Sequence, residues 1–277
     1  MGEKQPFRIY KRLRIASSSL VVGWNDDASG LGTRVTDYLV KKLGAKDFAE
    51  IEPDGFFPMA GVSVSHDVVQ FPECRFFYSR KHNLVICKST PPRTDWFRFM
   101  DLVLEVAERY CHIREVYTFG AMVSLGAHTA PRTMLGVASS PEMRRELGAY
   151  DLAMDIDFET PPGQRPTLNS FFLWVARRRG IAAASLWVPI PFYLLTTEDP
   201  RAWKRVLEFL DRRFVLGLDL SDVDREVEVQ DMRISQMASR SPLLSHYIQR
   251  LESNLQLTQE ENEKLVKEIE EFLRKNE

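Results

Sequence analysis

Few residues of this 277-residue chain stand at the spacings that chemistry requires. Gly30-Leu31-Gly32 follows an apolar run and opens a helical pattern. A helix N-terminus there would turn free N–H groups and a favourable dipole toward a phosphate. The dinucleotide fingerprint needs a third glycine where Val35 stands, and the P-loop lysine is missing. Asp26 and Asp27, just before the glycines, would repel an anion. Asn25, Asp26 and Asp27 could ligate a hard cation, yet no glutamate closes the loop at the calcium-loop position, and a capped turn accounts for them more simply. His128 with Arg132 could handle a substrate proton and an anion, or could be a hydrogen-bonded structural pair. His66 beside Asp67, Cys74, and Cys111-His112 have no partners at zinc spacing. Ser63 and Ser65 near His66 form no nucleophile elbow. The ligand-binding candidates are therefore Asn25, Asp26, Gly30, Gly32, His128 and Arg132. No catalytic residue, metal ligand or cofactor is expected.

The elements that must position these residues read as alternating strands and helices. Ser19–Trp24 is apolar and β-rich, and Leu31–Leu43 carries one apolar helical face ended by Gly44. Arg75–Ser79 and Asn83–Lys88 read as a hairpin. Asp95–Cys111 is an amphipathic helix with Phe99, Leu102, Val103, Val106 and Tyr110 at helical spacing, and Glu115–Phe119 returns as a strand. Ser140-Pro141 and Asp199-Pro200 each pair a capping side chain with proline at the first helical position. Ser221-Asp222-Val223-Asp224 resembles a capping box. Leu168–Arg179 reads as a helix stopped by Gly180, and Ala183–Val188 as the next strand. The pattern predicts an α/β fold with a mixed, largely parallel sheet flanked by helices. Ligands in such folds bind beyond the carboxyl ends of strands.

Composition narrows the classes. Lys plus Arg number 37 and Asp plus Glu 39, a net charge of -2, so the basic bias of a nucleic-acid binder is absent overall, although a local patch is compatible with it. Three separated cysteines argue against a disulfide framework and for a reducing compartment. Ile181–Leu195 holds two prolines and falls short of a membrane span, and no signal core follows Met1. A cytoplasmic chain with neither membrane nor nucleic-acid partner is expected. Arg177-Arg178-Arg179 closes a helix, where cations complement the dipole.

The tail carries a heptad seam. Leu244, Leu251, Thr258, Leu265 and Phe272 fall at d, and Ile248, Leu255, Asn262 and Ile269 at a. Asn262 would set the register of a paired helix. This predicts domains at 1–220 and 221–277, the second a coiled-coil-like extension. Its partner is a neighbouring subunit or another helix of the same chain, such as Ser221–Arg240; folding back onto its own domain is the plainer alternative.

Several passages together resemble the proteasome assembly chaperone family, in particular the prokaryotic relatives of its second member. They are Leu20–Gly32 with Tyr38-Leu39, then Val116–Gly120, His128–Arg132 and Gly136–Ser139, and finally Gly180-Ile181 through Pro189–Tyr193 with Pro200-Arg201-Ala202. The match spans roughly residues 15 to 225. The resemblance implies a fold like that of the nucleoside phosphorylases, homo-oligomers of trimeric form, and chaperone roles among archaeal and eukaryotic relatives. The tyrosine-containing tail of relatives that dock on proteasome rings is replaced by Lys275-Asn276-Glu277. The glycine-rich turn expected before the late helix reads Pro161–Thr167. Fold similarity to phosphorylases does not confer their activity. The expected function is an oligomeric assembly or scaffold protein rather than an enzyme. The alternative is an enzyme or sensor that takes a small anionic, nucleotide-like metabolite at the strand-end loops.

Overall fold

The computed structural model describes residues 6–13, 15, 17–52, 55–57, 63–65 and 67–274. His66 and the Lys275–Glu277 terminus lie outside the described residues. Among those described, β1 (Phe7–Ile9), β2 (Ser18–Trp24), α1 (Leu31–Lys42), β3 (Lys46–Ile51), β4 (Ser63–Ser65), β5 (Val68–Gln70), β6 (Cys74–Ser79), β7 (Leu84–Ser89), α2 (Trp96–Cys111) and β8 (Ile113–Ser124) follow in order. Then come β9 (Leu135–Ala138), α3 (Pro141–Leu147), α4 (Leu168–Arg178), β10 (Ala182–Pro191), α5 (Pro200–Phe214), α6 (Ser221–Ser239), α7 (Pro242–Glu252) and α8 (Gln259–Arg274).

Eight strands form one sheet in the order β1-β3-β6-β7-β2-β8-β10-β9. It is mixed, as the alternating pattern predicts, but its parallel share is smaller than that pattern implies. β2 runs parallel to both β7 and β8. β1 with β3, β3 with β6 and β6 with β7 are antiparallel. The reason is local: Tyr78↔Val85 and Ser79↔Leu84 face each other across the tight turn at residues 80–83, so this hairpin closes without a crossover. Sheet order reverses at β2, which has β7 on one side and β8 on the other. Open α/β sheets bind ligands beyond such a reversal.

Two compact units divide the chain. The first comprises residues up to Asp26, Gly32–Phe119 and Leu135–Leu186; the second comprises Asp27–Leu31, Gly120–Met134 and Trp187–Glu277. Helix α5 thus belongs with the helices that follow it. In the first unit, β2 is a continuous buried run with Leu20, Val21 and Val22 fully covered. Helix α2 buries the face predicted for it, Phe99, Val103 and Val106 among others, and Asp95 caps it by accepting from the Arg98 amide. Arg179 bridges α4 to Asp101 and Glu108 of α2, both at 2.6 Å. Arg178 lies over the Phe97 and Trp174 rings, so two of the three arginines that close α4 have partners.

In the second unit, α7 and α8 pack against each other and against α6, and α8 also meets the short turn Phe192–Leu194. The continuous heptad helix predicted for the tail is corrected here. Ser253–Thr258 interrupts it, with Asn254 at φ 57° and the Leu255 amide donating back to the Arg250 carbonyl. Thr258 is the cap of α8: its hydroxyl accepts from the Glu261 amide at 3.3 Å, and Glu261 accepts from the Thr258 amide at 2.7 Å. This reciprocal pair is a capping box, which favours a fresh start over a continuous helix. Arg250 reaches Glu261 at 2.8 Å and ties the two helices together. Leu244, Ile248, Leu251, Leu265 and Ile269 are all buried within the chain, and Phe272 lies under Arg240. Asn262 is half-buried, its Oδ1 without a hydrogen-bond partner among the described residues, and Leu255 is exposed. The box expected at Ser221 is also corrected: Ser221 is the first residue of α6, and its amide donates to Asp219.

Candidate functional site

The glycines after β2 have a steric explanation. A Cβ on Gly32 would stand 2.0 Å from the Trp24 carbonyl oxygen, and one on Gly23 would stand 2.5 Å from Thr36 Cγ2. Both glycines let α1 lie directly on β2. Asn25 turns the chain out of the strand: its amide donates to the Ser89 carbonyl and its carbonyl accepts from Thr33 Oγ1. Asn25 Oδ1 is buried with no hydrogen-bond partner among the described residues, whereas Asp26 is exposed.

A second buried link supports this strand end. Trp24 Nε1 donates to Asn169 Oδ1 at 2.7 Å, and Asn169 Nδ2 donates to the Phe119 carbonyl at 3.1 Å. One amide on α4 therefore joins β2 to β8. Sequence reasoning missed Asn169; its signal is a polar residue among Phe172, Leu173, Val175 and Ala176, the other buried residues of α4.

The loop Asp27–Leu31, in the second unit, is strained and polar. Ser29 has φ 60° and Gly30 φ 62°, so two successive residues are left-handed, the first at a steric cost. The Ser29 amide donates to the Leu195 carbonyl at 2.8 Å, which holds the turn. Asp27 Oδ1 accepts from the amides of Ala28 and Ala121, at 2.9 and 3.5 Å. Asp27 Oδ2 and Ser29 Oγ are buried with no hydrogen-bond partner among the described residues. Burial pushes the Asp27 carboxyl up to about 6, against the lowering effect of its two amide donors. Buried orphan polar atoms are unusual, and they cluster where proteins bind ligands or hold strain.

His128 and Arg132 also lie in the second unit, and their partners come from distant sequence. The His128 amide donates to Tyr193 Oη at 2.5 Å, and Nδ1 of the ring lies 3.0 Å from the same oxygen. Burial holds the ring neutral by pushing it down to about 4. Arg132 is 6% exposed. It binds Asp199 through Nε at 3.0 Å and Nη2 at 2.9 Å. Its remaining donors go to the carbonyls of Ala127, Ala130 and His128. Asp199 keeps its capping role as well, accepting from the Ala202 amide at 3.1 Å. The two candidates come together as an interior brace. Its guanidinium charge is matched by a carboxylate and its donors are satisfied within the chain, the arrangement a buried arginine requires.

Among the described residues no group of three or more His, Cys, Asp or Glu could hold a metal ion. No helix among them is long and apolar enough to cross a membrane.

The sequence model of the PAC2 family matches residues 20–238. The chain belongs to the PAC2 family. No curated protein matches it. Among solved structures it is similar to the proteasome-assembly chaperone homologue Rv2125 of Mycobacterium tuberculosis, with TM-score 0.68 and 20% identity over 83% of this chain and 99% of that one. The Mycobacterium tuberculosis protein of unknown function Rv2714 shows TM-score 0.74 and 18% identity over 92% and 90% of the two chains. Pyrococcus furiosus PbaB, an archaeal proteasome activator, shows TM-score 0.67 and 20% identity over 83% and 97%. At these identities the likeness is one of fold.

Proposed function

We propose that this chain is a chaperone-like assembly protein that acts by holding other protein surfaces, as a homo-oligomer. The observation that carries the reading is the hairpin of β4 and β5 in the first unit. Val64 and Val69 face each other across it, and Val64, Val68, Val69 and Phe71 are all exposed, at 68, 58, 47 and 68%. An isolated two-stranded hairpin is marginal in water, so one that shows apolar residues on both faces fits a surface that another protein covers. Family membership and the fold shared with the archaeal activator PbaB support the same reading. Of the tail positions expected to join subunits, Leu255 is 56% exposed and so available for such a contact, whereas Leu244, Ile248, Leu251, Leu265 and Ile269 are buried within the chain. The test is native mass spectrometry of the full-length chain from its own host, beside a Val69→Asp/Phe71→Asp variant. A stoichiometric complex that the variant loses supports the reading. The same assembly stoichiometry in the two proteins overturns it.

A second reading, a small-molecule site at the strand-end loop, rests on the orphan Asp27 Oδ2 and Ser29 Oγ. A carboxylate beside a hydroxyl that can accept as well as donate suits a hydrogen-bond donor better than an anion, which turns this reading from nucleotides toward nucleosides or amines. Nucleosides that raise the melting temperature would support it, since a ligand bound only by the folded state stabilises that state. A shift with phosphate alone would count against it.

A further inference from the structure

The end of the sheet opposite the carboxyl end of β2 carries a different surface. The carboxyl end of β1, the start of β3 and the carboxyl end of β6 lie side by side there, because β1 and β6 both run antiparallel to β3. The amides of Tyr10 and Lys11 donate to the Phe48 carbonyl, which brings the chain after β1 against β3, and Lys46 faces Tyr78 two residues before Arg80. The result is a cleft of about 440 Å³ with Lys11, Arg12, Lys46 and Arg80 on its walls. All four are exposed and have no ion-pair partner among the described residues. Asp47, the one acid of the lining, is bound to Arg75. Helix α1 ends beside it, with Ser79 Oγ donating to the Leu43 carbonyl.

We propose that this cleft is a binding site for a compact anion with several phosphate groups. In a chain of net charge -2, four uncompensated cations around one concavity form a segregated positive field. Like charges that line one cleft repel one another, and a multivalent anion relieves the repulsion at each of them. The size matches a small-ligand site rather than a folded partner. Phe48 and Tyr78, the rings of the lining, are buried, so no aromatic platform is open for a stacked base, and charge alone does the recognising. The cleft shares no residue with the Asp27–Leu31 loop and does not depend on the assembly reading.

Isothermal titration of the full-length chain with tripolyphosphate at about 50 mM salt tests it. The comparison is with Lys46→Gln/Arg80→Gln and with Lys267→Gln on α8 as a charge control. All three substituted side chains are exposed, and equal melting temperatures establish that the variants fold. Saturable binding with one ion per chain, weakened about tenfold or more in the double variant, unchanged in the control and falling steeply with added salt, is the expected result. Co-sedimentation with vesicles carrying phosphoinositide headgroups, against phosphatidylcholine vesicles, then assigns the phosphates to a lipid or, where vesicles are not bound, to a soluble ion. The proposal is overturned by no saturable binding to the wild type, by equal affinity in the double variant, or by tighter binding of an oligoglutamate peptide than of tripolyphosphate.

Discussion

Arg132 and Asp199, 67 residues apart in the chain, meet in a buried two-armed ion pair at 3.0 and 2.9 Å. Removing one member leaves the other charge buried and unmatched, which costs about 3–5 kcal/mol. Arg132→Met is therefore expected to lose that much stability in urea unfolding. Asp199→Asn keeps the oxygen that caps α5 but not the charge. The double variant should lose less than the two single losses summed, as expected for residues in contact.

The pH dependence of stability is set in part by two groups that oppose each other. The Asp27 carboxyl moves from 3.8 to about 6 on folding, because of burial. The folded state takes up its proton first, so this group raises stability as pH falls from about 6 toward 4 and lowers it above 6. Burial moves His128 from 6.5 down to about 4. Its contribution is complete above 6.5 and is lost as pH falls toward 4. Asp27→Asn is expected to stabilise the protein by roughly 2 kcal/mol at neutral pH and to lay bare the acid loss due to His128. His128→Asn should leave a chain that gains stability on mild acidification. Urea midpoints read at neutral pH and at two acid values would check both signs.

The two glycines of the β2 loop should behave differently. Gly32→Ala puts a methyl group into the Trp24 carbonyl, and the backbone must move to admit it, at a cost above about 4 kcal/mol. At Gly30 nothing lies within 4 Å of an added Cβ, and only the φ of +62° resists, at roughly 1 kcal/mol. Soluble yield and melting temperature of the two alanine variants read this contrast directly. Equal damage would show that α1 is not held against β2 at Gly32.

The tail helices contribute stability on their own account. Ile269→Ala opens a cavity at a fully buried position, for a loss of roughly 2–5 kcal/mol, and Thr258→Ala removes the cap of α8, for about 1 kcal/mol. A chain ending at Pro242 should melt at a lower temperature as well as change in mass. An unchanged melting temperature would mean that α7 and α8 do not pack on the second unit.

Much of the scaffold is legible in the residues because its signals are local. Ser140-Pro141 and Asp199-Pro200 start α3 and α5 where their capping chemistry predicts, each with a side-chain oxygen on an amide three residues on. β1 and β3 are not legible: Phe7–Ile9 is short, and Lys46–Ile51 carries three charges, so their place at the sheet edge depends on each other and on β6. The tail shows how one pattern can hide another. Thr258 reads as a weak seam position, yet Thr258 with Glu261 spells the capping box that breaks the helix. At the candidate site, the place of the Asn25–Gly32 loop is legible from strand, turn and helix in succession. The burial of His128 and Arg132 is not, because Tyr193 and Asp199 reach them across 65 and 67 residues and no local pattern records such a pairing.

The β4–β5 hairpin also makes concentration matter. Its strands carry no lysine and no proline, the residues by which open strand edges are usually kept from joining one another. Encounters between two such hairpins grow with the square of the amount of chain, while capture by a different protein grows with the supply of that protein. On the assembly reading, the ratio of the two syntheses, rather than the level of either, thus decides whether these strands end in a defined complex or in a precipitate.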